Sequence, residues 1–97
     1  MTLTLDTVVT VPDNLLFSNL GGEEVILDLS TGTYYGLNEV GARVWALIET
    51  PRSGQDVCDR LEAEYDVDRP SLERDVLHLL QEFEAEGLLE VDARASA

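Results

Sequence analysis

Residues 23–38 read Glu23-Glu24-Val25-Ile26-Leu27-Asp28-Leu29-Ser30-Thr31-Gly32-Thr33-Tyr34-Tyr35-Gly36-Leu37-Asn38. Two β-favouring runs flank a short Ser-Thr-Gly turn. In the first, Glu23–Leu29, alternation puts Val25, Leu27 and Leu29 on one face and Glu24, Ile26 and Asp28 on the other. The second, Thr33–Leu37, is rich in aromatic and β-favouring residues. So short a turn makes the two runs antiparallel neighbours. Upstream, Leu15–Leu20 joins them through Gly21-Gly22, a hairpin signal. The three runs form a meander. Pro12-Asp13-Asn14 marks a turn before it. Residues 1–12 alternate loosely through Leu3, Leu5, Val9 and Val11, as an extended arm or an extra strand.

Downstream of Leu37 the apolar period changes from two to about 3.6. Asn38 is a candidate N-cap, and Val40, Val44, Leu47 and Ile48 form the stripe of a first helix, ended by Thr50-Pro51. Ser53 caps a second helix, with Val57 or Cys58, Leu61 and Tyr65 inward. Asp68-Arg69-Pro70 opens a third, with the proline in the first turn, where its missing N–H costs nothing. Its apolar positions are Leu72, Val76, Leu77, Leu79, Leu80 and Phe83, and Gly87 stands where a helix-ending glycine belongs. Leu88–Val91 is a short extended closing piece, and residues 92–97 a frayed tail. Strands followed by helices predict one α+β domain over residues 1–97. It is a three-stranded antiparallel β-meander packed on a three-helix, winged helix-turn-helix-like bundle.

Composition excludes several functions. The chain of 97 residues has a net charge of −14, and all six of its basic residues are arginines. Nucleic-acid binding draws most of its affinity from basic side chains on phosphates, so no nucleic-acid partner is expected, and no anionic membrane either. As a recognition helix, Pro70–Glu86 carries Arg74 as its one arginine among acidic residues, which argues against a DNA-binding regulator. No apolar run is long enough for a membrane span, and the first residues have no signal-peptide pattern. With a single cysteine, a cytoplasmic location is expected.

There is no Gly-rich phosphate loop. One histidine and one cysteine cannot build the usual zinc site, so no metal and no cofactor are expected. Glu82, Glu84 and Glu86 read as a solvated helix face. Cys58 and His78, tested as a nucleophile–base pair, fall on or beside apolar stripes and read as structural. The chain is therefore expected not to be an enzyme.

The third strand is the last of a meander and so an edge, with unpaired N–H and C=O groups on one side. Such edges capture extended peptides by strand addition. Thr33, Tyr35 and Leu37 fall on one face and Tyr34 on the other, and Gly36 lets another backbone approach closely. The pattern leaves a second reading open, in which Tyr35 and Leu37 cap the core and Tyr34 covers the outer sheet face. The third helix has more apolar positions than one face needs. Its surplus is either core or the wall of a groove, with Arg74 and Asp75 at the rim to set peptide register.

The ordered set Gly22–Leu29, Thr31-Gly32-Thr33-Tyr34-Tyr35-Gly36-Leu37-Asn38, Val40-Gly41-Ala42-Arg43-Val44-Trp45 and Leu47-Ile48 resembles PqqD-like proteins. Glu73-Arg74-Asp75-Val76, Leu79-Leu80, Phe83 and Glu86-Gly87-Leu88-Leu89 continue the resemblance, which runs from about Val8 to Val91. It implies a RiPP recognition element, a peptide chaperone that binds the leader of a ribosomally made precursor and presents it to a separate enzyme. It further implies backbone pairing of the leader along Thr33, Tyr34, Tyr35, Gly36 and Leu37. Leu72, Val76, Leu79, Leu80 and Phe83 then supply the apolar wall. The Tyr34–Asn38 run is most similar to the free-standing recognition proteins of lasso peptide biosynthesis, which work beside a leader protease. Radical-SAM peptide systems use related domains and are the alternative. A monomer is expected, with dimers through the exposed edge or arm as the variant.

Overall fold

The computed structural model describes residues 3–92. The order of elements is β1 (Val8–Thr10), β2 (Leu15–Leu20), β3 (Glu23–Asp28), β4 (Thr33–Leu37), α1 (Glu39–Ile48), β5 (Arg52–Ser53), α2 (Gly54–Glu64), α3 (Arg69–Ala85) and β6 (Glu90–Val91). The fold is α+β, with three helices and two three-stranded antiparallel sheets. The meander β2-β3-β4 is the expected one. The second sheet, in the order β5-β1-β6, was not expected.

Register in the meander sets which side chains share a face. Phe17, Ile26 and Tyr35 lie in one cross-strand row, and Leu16, Leu27 and Tyr34 in the next. Successive rows point to opposite sides of the sheet. The Phe17–Ile26–Tyr35 row faces the core: Ile26 is fully buried, and Phe17 and Tyr35 pack against the buried cluster. The inward face of β3 is thus the one that also carries Glu24 and Asp28. Its neighbour Leu29, read from sequence as part of that strand, lies beyond the strand end and is exposed.

The three helices start on the predicted caps. Asn38 Oδ1 accepts from the Gly41 N–H at 2.7 Å, Ser53 Oγ from the Asp56 N–H at 3.1 Å, and an Asp68 carboxylate oxygen from the Ser71 N–H at 3.2 Å. Each satisfies an N–H that the first turn of a helix leaves unpaired. The end of α3 is equally specific. The Leu88 N–H donates to the Phe83 carbonyl at 2.8 Å and the Gly87 N–H to the Glu84 carbonyl at 3.0 Å. Gly87 holds a φ of 75°, which only glycine adopts without strain. This paired closure turns the chain sharply and brings Leu88 and Leu89 back into the core.

The expected arm is more than an extension. Leu3 is buried, a turn bonded from the Thr7 N–H to the Thr4 carbonyl follows, and only Val8–Thr10 is strand. Val9 is fully buried, and pairs with Arg52 on one side and Val91 on the other. The C-terminal tail was expected to fray from Asp92, but the Asp92 N–H donates to the Val8 carbonyl at 2.8 Å. The rest of that tail, and the first two residues of the arm, lie outside the described residues.

Arg69 ties α2 to α3. Its guanidinium meets Asp59 at 2.8 Å, Glu73 at 2.9 Å and Glu62 at 3.4 Å, and donates to Gln55 at 3.0 Å. The hydrogen bonds to Asp59 and Glu73 raise its pKa further. Arg69→Leu removes this hub and leaves three carboxylates facing one another. It is expected to cost about 1–2 kcal/mol, a few exposed pairs at a few tenths each plus the uncovered repulsion. Urea denaturation checks this, and the deficit should shrink as salt screens the repulsion.

Candidate functional site

β4 pairs with β3 on one side, and no strand lies on its other side among the described residues. Beyond that open edge a groove of about 620 Å³ separates it from α3. It is lined by Tyr34, Tyr35, Gly36 and Leu37 on the strand side and by Glu82, Phe83, Ala85, Glu86 and Leu88 on the helix side. A second hollow, of about 170 Å³, lies toward the N-terminal half of α3. Val40 of α1, Leu61 and Tyr65 at the end of α2, and Val67 meet Leu72, Asp75, Val76 and Leu79 there.

Apart from Ala85, the α3 and C-cap residues of both hollows belong to one face. Positions 72, 75, 76, 79, 82, 83 and 86 step by three and four along the helix. At 1.5 Å per residue that face runs about 21 Å. An extended peptide spans the same distance in about six residues. The face is apolar at its centre and acidic at its rim, through Asp75, Glu82 and Glu86. A third hollow, at the hairpin end of the sheet, is lined by Glu23, Glu24 and Glu39 and offers an extended chain no such helix face.

Residue by residue, the structure sorts the sequence expectations. Tyr34, Tyr35, Gly36 and Leu37 line the groove; Thr33 starts the strand, exposed, and does not. Phe83 lines the groove at 5 % exposure, its ring set edge-on to Trp45 at 5.8 Å between centroids. Leu72, Val76 and Leu79 line the smaller hollow together with Asp75. Leu80 is fully buried, so it backs the wall from inside the core instead of forming its surface. Arg74 lines neither hollow; its guanidinium reaches Ser71 Oγ at 3.4 Å. Sequence reasoning missed Glu82, Ala85, Glu86 and Leu88, and the contributions of Val40, Leu61, Tyr65 and Val67. For Glu82 and Glu86 the signal was present: they continue the three-and-four spacing from Leu79.

Cys58 and His78 do not form a dyad. Cys58 is fully buried, and burial pushes its thiol pKa up, the reverse of an activated nucleophile. His78 stands on the surface against Glu82 at 2.7 Å. Among the described residues, no three metal-type ligands gather, and no helix is long and apolar enough to cross a membrane.

The outer face of the meander is the other notable surface. Leu16, Leu20 and Tyr34 are each about half exposed on it, beside Leu27. Glu23 shares the cross-strand row of Leu20 at its hairpin end, and no basic residue precedes Arg43 in the chain.

Solved structures share this fold. The structure of TbiB1 in complex with the TbiA(beta) leader peptide is 40% identical, covering 84% of this chain and 94% of that one, with a TM-score of 0.74. A lasso peptide synthetase B1 complexed with the leader peptide is 26% identical over 84% and 96%, also with a TM-score of 0.74. The PqqD truncation of Methylobacterium extorquens PqqCD, described as a stand-alone RiPP recognition element, shares the fold. Its TM-score is 0.76 over 91% and 94% of the chains, at 19% identity. No curated protein sequence matches significantly. The family described as Coenzyme PQQ synthesis protein D (PqqD) matches residues 23–89, which hold β3, β4 and all three helices, and so both walls of the groove. This chain belongs to the PqqD family.

Proposed function

We propose that this protein binds the leader segment of a ribosomally made precursor peptide as a fourth strand on β4. Alternate leader side chains enter the hollows against α3. The observation that carries the reading is the pairing of an open strand edge with an apolar face of α3 across the groove. Backbone pairing gives affinity to any extended chain, and the two hollows select side chains. One apolar or aromatic leader residue in the smaller hollow supplies much of the energy. The acidic rim favours leaders with basic residues flanking that anchor. The 40% identity to a protein held with a leader peptide, and the likeness to a lasso peptide synthetase B1, favour the lasso type of pathway.

The chain makes and breaks no bond; it holds a disordered substrate extended and raises its effective concentration at a separate leader protease. The outer sheet face is the surface we assign to that protease. It is apolar at its centre, carries Glu23 at its hairpin end and has no basic residue on its strands, and suits a partner with an apolar patch flanked by Lys or Arg.

Fluorescence-polarisation titration with labelled TbiA(beta) leader tests the first part. Saturable binding in the micromolar range supports the reading, and none up to about 1 mM sinks it. For the second part, Leu16→Asp is expected to leave that titration unchanged while slowing leader removal by the cognate protease about tenfold or more. Equal processing rates in wild type and variant would remove the outer face from the account.

A further inference from the structure

The two walls of the groove belong to different parts of the molecule. β4 is held by β3 and packs on α1, whereas α3 packs mainly on α2. The spacing between the walls therefore depends on whatever joins the meander to the α2–α3 pair. Trp45 of α1 against Phe83 is one such joint; three observations make the N-terminal segment another.

First, β1 is the middle strand of the second sheet. It pairs with β5, which runs directly into α2, and with β6, which follows α3 after its glycine turn. Leu88, a lining residue of the groove, is two residues from Glu90, the cross-strand partner of Thr10. Second, only Val11–Asn14 separates β1 from β2 of the meander, and the Leu15 N–H donates to the Pro12 carbonyl across that link. Third, the residues before β1 grip both helices. The Leu5 carbonyl accepts from the Gln55 N–H of α2 at 2.9 Å, and the Leu3 carbonyl from Gln81 Nε2 of α3 at 3.4 Å. At the first residue of α2 the approach is so close that a Cβ on Gly54 would lie 2.8 Å from Leu5 Cδ2 and 3.1 Å from its Cα.

We propose that Leu3–Thr10 is a positioning brace for the peptide groove: it sets the distance of the α3 wall from the β4 edge without touching the ligand. The inference rests on the peptide-binding reading of that groove. The physical reason is that both contacts are short-ranged. A strand added to β4 must sit about 4.8 Å from it, and its side chains must at the same time reach α3. A gap of about 1 Å at the wall forfeits a large part of the dispersion contact. A brace that slackens therefore weakens binding before it unfolds the domain.

Gly54→Ala tests this, because its new methyl pushes on the Leu5 side chain and backbone, and neither residue lines a hollow. Ile48→Val is the control, a buried change in α1 that lines neither hollow. Both are titrated with labelled TbiA(beta) leader at a temperature where circular dichroism shows each fully folded. Gly54→Ala is expected to weaken the leader about tenfold, mostly through faster dissociation, and Ile48→Val by less than about twofold at a similar loss of Tm. A cross-link between the paired positions 10 and 90, made as Thr10→Cys with Glu90→Cys, is expected to restore affinity to Gly54→Ala on oxidation. Full affinity in folded Gly54→Ala, or equal losses in variant and control, would overturn the brace. Absence of leader binding by the unaltered protein would instead overturn the peptide-binding reading itself.

Discussion

Leu79→Asp is expected to abolish capture of an extended peptide while leaving the domain folded. Leu79 is only partly buried and lines the smaller hollow with Val40, Leu61, Tyr65, Val67, Leu72 and Val76. Val40 and Val67 are nearly half exposed, so the hollow is open and its apolar rim is wet in the free protein. A carboxylate at residue 79 stays hydrated there and costs the fold little. A seated peptide side chain takes that water away, with the Asp75 carboxylate one turn back on the same face. Losing a central anchor typically costs about 2–4 kcal/mol, so affinity should fall about a hundredfold or more. Leu79→Ala, which only shrinks the contact, should cost about tenfold. Titration of the TbiA(beta) leader with both variants checks the order, and urea midpoints check the fold. Affinity retained within about threefold in Leu79→Asp would place the anchor elsewhere.

Much of this arrangement was legible in the amino-acid sequence, for identifiable reasons. The meander announces itself because its strands are five or six residues long and its turns carry glycine. Helix starts were legible because Asn38, Ser53 and Asp68 each place a short polar side chain three residues before an N–H that needs it. The second sheet was illegible because β5 and β6 are two residues each, too short for any period. Its pairings join Val9 to Arg52 and to Val91, and contacts that far apart leave no local trace. The inward face of β3 was ambiguous for a different reason. Its one apolar inward residue, Ile26, is flanked by Glu24 and Asp28, while Val25 and Leu27 lie on the other face, so alternation alone turns the more apolar face inward.

The candidate site divides in the same way. The open β4 edge follows from strand order alone, because the last strand of a meander has a neighbour on one side only. Helix α3 was harder, since adjacent leucines 79 and 80 compete for one inward position. Leu80 is fully buried and Leu79 stands at the hollow, a rotation of about 100° that periodicity cannot assign without knowing where α2 and the sheet lie. Val40 comes from α1, and Tyr65 and Val67 from the link between α2 and α3, and only the tertiary fold brings them together against α3. The groove is a property of the convergence of elements, and a reading made one helix at a time sees just one of its walls.

Trp45→Ala is expected to be the most damaging single change in the protein. Trp45 is 1 % exposed, sits in the middle of α1, and meets the Phe83 ring edge-on with planes 82° apart. Removing a buried indole from a packed core costs about 3–5 kcal/mol, from the transfer free energy and the cavity left behind. A domain of this size has a total stability near the low end of about 5–15 kcal/mol, so the variant should be substantially unfolded at 37 °C. Trp45→Phe keeps an aromatic edge for Phe83 and should lose about half as much. Trp45 is the sole tryptophan, so circular dichroism rather than indole emission must follow unfolding of the alanine variant. Binding adds a second readout. Phe83 lines the groove with its other side against Trp45, so in Trp45→Phe, which remains folded at low temperature, leader affinity should drop along with stability. Leader affinity unchanged in folded Trp45→Phe would mean that the groove wall holds its position without the indole. Support for Phe83 would then have to come from Leu80 and Leu88 on either side of it along the chain.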